Sequence, residues 1–239
     1  MAFVKPDFSR EKVSKAGRIL VSKTATQEER CAALEILNRW RACHAYPINT
    51  FQATLRKKLK RLKTEALVAQ RLKRTPSIIR KLELNPGMQM ARMQDVGGLR
   101  AVVSNIGEAY KLRKTYTEAS FTHQLSGEYD YIETPKKSGY RSIHLIYKYK
   151  NPSNPIYDGL SLELQIRTKL QHAWATAVET IGTYLGQALK SSEGSEAWLN
   201  YFKLASAVFA HMEECPAHED FKHLSFKDLC NQLKEKNDE

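Results

Sequence analysis

The sequence predicts an α/β (α+β) chain: a mixed β-sheet of about five strands flanked by helices, with helical extensions at both ends. Two observations carry this expectation. Apolar residues recur at helical spacing before residue 70 and after residue 169, whereas the stretch between is rich in β-branched and aromatic residues. Clusters of Gly, Pro, Asn and Asp punctuate that middle stretch where turns are needed.

The first expected helix opens on a capping box. Thr26 precedes Glu29 by three residues, so hydroxyl and carboxylate can satisfy early backbone donors. Ala33, Leu37, Trp40 and His44 then share one face, and Pro47 is expected to end the helix. A second helix, capped by Asn49 or Thr50, is predicted to bury Phe51, Leu55, Leu59, Leu62, Ala66 and Ala69. Its other faces carry Arg56, Lys57, Lys58, Lys60, Arg61 and Lys63. Thr75-Pro76-Ser77 starts a short third helix, with Thr75 as cap and Pro76 in the first turn. Asn85-Pro86-Gly87 marks a loop.

Strands are predicted over residues 99–104, 129–133, 142–150 and 160–168, and a helix over 107–119. The last two strands form an antiparallel hairpin with a long loop from Asn151 to Gly159. Helices resume at Lys169, with Trp174, Val178 and Ile181 on one face and Trp198, Phe202, Ala205 and Phe209 on another. A last helix is expected over 226–236. Residues 1–48 read as a helical extension, 49–190 as the core and 191–239 as a second extension, all in one compact unit without repeats.

The 239 residues suffice for one medium domain with a proper core. No apolar run reaches the ~20 residues that cross a bilayer, and the N-terminal residues carry charge where a signal peptide needs an apolar centre. A cytosolic (cytoplasmic) protein with no membrane partner is expected. Cys31, Cys43, Cys215 and Cys230 form no Cys-x-x-Cys pair. Cys215, His218 and His223 offer three ligands rather than the closed set of structural zinc, so an incidental loop is the preferred reading. The formal net charge of +12 attracts phosphate-bearing partners without distinguishing RNA from nucleotide or acidic protein.

Three clusters place polar residues where strands should be apolar. In Met93-Gln94-Asp95-Val96-Gly97-Gly98-Leu99-Arg100, an acid stands just before a Gly-Gly step, where it either caps a turn or is presented beside open backbone. In the segment from Asp130 to His144, Lys136, Lys137, Tyr140, Arg141 and His144 gather around one loop. Such donors suit polyphosphate chemistry, and a tyrosine face can stack on a base. In Leu162 to Thr168, alternation sets Glu163, Gln165 and Arg167 on one strand face, which is either an exposed face or a working one.

In this order and spacing the clusters resemble the synthetase domain of the RelA/SpoT superfamily, which makes the alarmones (p)ppGpp. An upstream Arg-x-Lys-x-x-x-Ser-x-x-x-Lys element is matched by Arg71, Lys73, Ser77 and Lys81. The resemblance covers about residues 50–190 and implies a nucleotidyltransferase-like synthetase fold in a small, single-function member. It implies an ATP-dependent pyrophosphokinase that uses Mg²⁺ and transfers pyrophosphate to a ribose 3′-hydroxyl. By the same resemblance, Arg71 and Arg100 flank adenine, and Lys73, Ser77 and Lys81 hold the ATP phosphates. Asp95 binds Mg²⁺, and Glu163 handles metal and takes the hydroxyl proton. Tyr140 stacks on the acceptor base, with Lys136, Arg141, His144, Gln165 and Arg167 lining the acceptor side.

The acceptor is the open question. Tyr129 stands where alarmone-making members usually have Lys, and Ser138 where they usually have Asn. The Arg56–Lys63 run is either a solvated helix face or a phosphate-backbone site, and the latter assigns Arg56, Lys57, Lys60, Arg61 and Lys63 to tRNA. The tail from Gln171 through Gln187-Ala-Leu-Lys-Ser-Ser192 is similar to toxic small alarmone synthetases, which modify the 3′-terminal adenosine of tRNA and are neutralised by an antitoxin. The expectation therefore leans to a tRNA acceptor end, with an antitoxin protein as further partner. GDP or GTP is the alternative, and an inactive nucleotide or RNA sensor a third. A monomer and a homo-oligomer are both open, and residues 215–239 are a candidate regulatory or antitoxin-docking element.

Overall fold

In the computed structural model, which describes residues 3–118, 121–187, 189 and 193–238, a sheet of five strands forms the centre. The strands are β1 (Leu67–Leu72), β2 (Gly97–Val103), β3 (Gln124–Asp130), β4 (Ile143–Lys148) and β5 (Ser161–Thr168), in spatial order β1-β2-β5-β4-β3. Only β2 and β5 run parallel; the other neighbours are antiparallel. The predicted hairpin is present, with Lys148 opposite Ser161. The sheet is mixed, as the sequence predicts.

Alternation divides this sheet into two unlike faces. Leu99, Ala101 and Val103 of β2 share one face with Leu164 and Ile166 of β5 and with Ile143, Leu145 and Tyr147 of β4, and all are buried. This apolar face packs on α1 (Arg10–Val21), α2 (Gln27–Cys43), α3 (Ala45–Leu62), α4 (Thr75–Leu84) and α5 (Ile106–Thr117) in one continuous core. The other face holds Arg71, Arg100, Glu163, Gln165, Arg167 and His144. Helices α6 (Lys169–Tyr184) and α7 (Glu196–Met212) close one flank of it, packing on each other through Trp174, Val178 and Phe202. A last helix, α8 (Phe226–Asp238), buries Leu229 against Leu204, Ala207 and Val208 of α7.

Several expectations change. Helix α1 has a Ser9 cap and no counterpart in the sequence reading. Pro47 does not end α2; it sits in the first turn of α3, where the chain has no intrahelical use for an N–H. Helix α3 stops at Lys63, which adopts a left-handed conformation (φ 52°). Residues 67–72 therefore form β1 instead of a further helical turn. Ala66 and Ala69 fit a helix stripe, but the open edge of β2 offers Leu67–Leu72 a full ladder, and pairing overrides a weak local preference. Strand β3 begins five residues before the predicted strand and ends at Asp130. Thr75 is the first residue of α4 and Arg74 its cap. Ala119, the expected end of α5, and Ala188, Lys190, Ser191 and Ser192 of the tail lie outside the described residues.

No helix among the described residues is long and apolar enough to cross a membrane. Nor do three His, Cys, Asp or Glu side chains gather as a metal site among them, which removes Cys215, His218 and His223 as a zinc set.

Candidate active site

The polar sheet face carries two carboxylates, each held by its own partners. Asp95 lies just before β2 and is bonded by Lys73, which follows β1, and by Lys81 of α4. The Lys73 Nζ to Oδ2 distance is 2.8 Å and the Lys81 Nζ to Oδ1 distance 3.0 Å. Burial alone would raise the Asp95 carboxyl, but the Lys81 and Lys73 ammonium groups outweigh it and keep Asp95 below the usual carboxylate value. The chain can bring Lys73 this close because Gly97 lets β2 start deep against the helices. A Cβ there would stand 3.0 Å from both His44 Cβ and Ile48 Cδ1.

Glu163 is the second. Its Oε1 lies 2.8 Å from His144 Nδ1, and its Oε2 accepts from Gln165 Nε2 at 2.8 Å. Burial again works toward the neutral acid. The His144 hydrogen bond opposes it, and Glu163 ends below its ordinary value despite the repulsive charge of Asp95. That repulsion shows the two carboxylates to be within electrostatic reach of each other. Lys136 is exposed to both: burial lowers its pKa, while Glu163 and Asp95 favour its charge.

From Glu163 a directed row of hydrogen bonds runs along the face. Arg167 donates to the Tyr140 hydroxyl at 2.6 Å, and that hydroxyl is hydrogen-bonded to His144 Nε2 at 2.7 Å. His144 Nδ1–H donates to the Glu163 carboxylate. Arg167 also donates to Gln165 Oε1 at 3.0 Å, and Arg100 reaches the same oxygen at 3.4 Å. Arg71 stands on the same face at the edge, on β1 opposite Gly98. Burial lowers the Arg100 pKa and the Arg167 and Arg71 charges act in the same direction, so three guanidinium groups share one rim.

The structure thus brings together Arg71, Lys73, Lys81, Asp95, Arg100, Lys136, Tyr140, His144, Glu163, Gln165 and Arg167. Ser77 is exposed in the first turn of α4, one helical turn before Lys81. Tyr140 turns its hydroxyl inward and has the Arg167 guanidinium 5.0 Å over its ring. The parallel, more open rings are Tyr129 and Tyr131, 5.9 Å apart at 6°, with Lys136 Nζ 4.3 Å over Tyr131. Tyr131 stood in the sequence motif without a role, although i, i+2 alternation in the strand predicted over 129–133 sets it on the same face as Tyr129.

Two groups of expected site residues are placed elsewhere. Arg141, expected on the acceptor side, is 3% exposed and ion-paired with Glu213 behind the loop, because residue 141 points opposite to Tyr140. The basic run Arg56, Lys57, Lys60, Arg61 and Lys63, expected to meet tRNA, lies across the sheet from the site. Helix α3 packs on the apolar face through Phe51, Leu55 and Leu59, so its charges point away. Lys58 of that run folds inward, donating to Thr115 O at 2.5 Å and lying 4.6 Å over Tyr116.

Comparisons with known proteins agree with this geometry. Residues 70–187 match the family model described as a region found in RelA/SpoT proteins. The chain is 31% identical over 159 residues to GTP pyrophosphokinase YjbM of Bacillus subtilis, covering 63% of this chain and 74% of the relative. It is 31% identical over 112 residues to GTP pyrophosphokinase YwaC of the same organism, spanning 44% of this chain and only about half (52%) of that relative. Among solved structures, small alarmone synthetase 2 of B. subtilis superposes with a TM-score of 0.63 at 22% identity, covering 74% of this chain and 94% of that one. Synthetase 1 of the same organism, bound to its product pppGpp, gives the same TM-score and identity, with 75% and 94% covered. The chain belongs to the RelA/SpoT family of pyrophosphokinases.

Proposed function

We propose that this chain, a pyrophosphokinase of the RelA/SpoT type, transfers the β,γ-pyrophosphate of ATP to the ribose 3′-hydroxyl of a guanosine nucleotide, GDP or GTP. The observation that carries the reading is the pairing on one open face of a lysine-flanked carboxylate, Asp95, with a second carboxylate, Glu163, oriented by His144 and Gln165.

Attack of the hydroxyl on the β-phosphorus forms the new O–P bond, breaks the bond to the α-phosphate and releases AMP. Glu163 stays ionised, so it can take the hydroxyl proton. Its second lone pairs remain free beside the two hydrogen bonds. Lys73 and Lys81 trade Asp95 for phosphate oxygens, putting cations where charge accumulates. Arg71 and Arg100 offer flat guanidinium surfaces at the rim for adenine, and Ser77 a hydroxyl for phosphate. Lys136, His144, Gln165 and Arg167 face the acceptor, with Tyr140 stacking on its base or Tyr129 and Tyr131 offering the alternative faces. Mg²⁺ fits the donor set, since two hard, ionised carboxylates within reach are what this ion takes before completing its shell with phosphate and water. Asp95 and Glu163 would hold it, and its charge would offset that of the phosphates.

A guanosine acceptor, instead of the tRNA 3′ end, draws support from the names of the relatives and from the pppGpp-bound neighbour. It also draws support from the Arg56–Lys63 run, whose place across the sheet takes away one of the sequence arguments for tRNA. The test is incubation of γ-labelled ATP with GDP, GTP or deacylated tRNA in parallel. Label in the guanosine product supports the proposal, and label confined to tRNA overturns it.

A further inference from the structure

Glu213 caps the C-terminus of α7, outside the matched family region, yet its carboxylate reaches directly behind the site. Oε1 accepts from the Thr168 hydroxyl, and Oε2 accepts from Gln171 Nε2 at 3.2 Å and lies 3.0 Å from an Arg141 guanidinium nitrogen. The side chains of Arg141 and Glu213 are 3% and 7% exposed. Thr168 and Gln171 form the capping box that starts α6 where β5 ends, and β5 bears Glu163, Gln165 and Arg167. Arg141 follows Tyr140 directly. One buried carboxylate therefore fastens both segments that meet in the row Arg167–Tyr140–His144–Glu163.

A second set of contacts fits α7 to the same loop. Ser206 Oγ donates to Gly139 O at 2.5 Å. Gly139 has φ +83°, and a Cβ on it would stand 3.0 Å from Ser206 Cβ and 3.1 Å from Lys203 Cα. The turn itself is closed by Gly139 N donating to Lys136 O at 2.7 Å and Lys136 N donating to Tyr140 O at 3.1 Å. Only a glycine allows both this backbone shape and so close an approach of α7.

We infer that Glu213, with Arg141, is a positioning residue for the acceptor half of the site, and that α7 is part of the working enzyme. The kinetic consequence rests on the pyrophosphokinase reading; the structural one does not. Removing the carboxylate strands the Arg141 charge in a buried place, so the loop carrying Tyr140 must open to hydrate it. Replacing both partners by apolar residues removes that drive to unfold while still untying the loop from β5.

The experiment uses the full chain as wild type, Glu213→Gln and the double variant Arg141→Met/Glu213→Leu. Hydrogen exchange of peptides covering residues 136–144 is expected to quicken by about tenfold or more in both variants, with residues 68–82 unchanged. In steady state, KM for GDP should rise about tenfold while KM for ATP stays within about threefold, because the ATP phosphate groups Lys73, Ser77 and Lys81 stand in the segment from the end of β1 through α4. Unchanged exchange at 136–144 in a double variant that still unfolds cooperatively would overturn the inference. So would equal shifts in the two KM values, which would mark a general loss of structure. If the wild type turned over no guanosine nucleotide, the functional reading would fail, and the exchange comparison would still decide the role of Glu213.

Discussion

Changing Glu163 to Gln keeps the side chain's size and removes its charge, and the consequences can be worked from its two partners. Oε1 faces a His144 nitrogen at 2.8 Å and Oε2 faces the Gln165 amide at 2.8 Å, and both partners are donors. A glutamine has one carbonyl oxygen, so its amide group must face one of these donors unless His144 or Gln165 turns. Loss of one such bond costs about 1–3 kcal/mol, partly offset because a buried charge is no longer desolvated. The fold should therefore survive with a modest fall in stability. Catalysis should not: loss of a general base alone lowers the rate by about 10²–10⁴-fold. AMP release from ATP in the presence of saturating GDP, followed by ion-exchange chromatography, is the assay. KM for ATP should stay within about threefold, since uniform binding is untouched. A kcat within tenfold of wild type, in protein with a normal urea transition, would refute the role given to Glu163; an inactive sensor would likewise keep its biological effect.

Burial holds the His44 imidazole down to about 4, with Nδ1 2.9 Å from Trp40 O. The unfolded chain takes up the proton first, so stability is full above about pH 6.5 and falls as pH drops toward 4; about 2 kcal/mol should be lost between pH 7.5 and 5. Urea unfolding at both pH values checks this, and His44→Gln should flatten the difference; an unchanged slope in that variant contradicts the assignment. Gly139→Ala should destabilise by about 2–5 kcal/mol, combining positive φ with overpacking against α7; an unaltered denaturation midpoint would deny the close approach. Replacing Arg56, Lys57, Lys60 and Arg61 by Gln should change KM for GDP by less than about threefold at 0.15 M salt, where the screening length of about 8 Å is short against the roughly 20 Å of sheet and helix between these charges and the site. A tenfold loss with GDP would put that helix face at the site after all.

How far the sequence could be read depended on how local each signal was. Glu163, Gln165 and Arg167 were legible because strand alternation puts them on one face within a few residues, and Asp95 because an acid stands just before a Gly-Gly step. Lys73 and Lys81 were legible only through the resemblance of the Arg71–Lys81 element to the RelA/SpoT pattern. Strand β1 was not, since nothing in Leu67–Leu72 announces the unpaired edge of β2 that recruits it. Which side of the sheet α3 covers is likewise a tertiary fact, and it decides where the Arg56–Lys63 charges end up. Arg141 read as a ligand-facing cation because its partner, Glu213, lies more than seventy residues away in sequence. Signals of that separation leave no periodicity, and the burial of the pair could be seen only once α7 was packed against the loop.

The central claim, transfer of an intact pyrophosphate to a 3′-hydroxyl, is tested most directly by the chemistry of the product. With γ-labelled ATP and GDP, the account predicts AMP and a labelled guanosine product in equal amounts. That product should resist periodate, because a 3′-substituted ribose has no free cis-diol to cleave. Formation of ADP in place of AMP, or a labelled product that periodate cleaves, would contradict it.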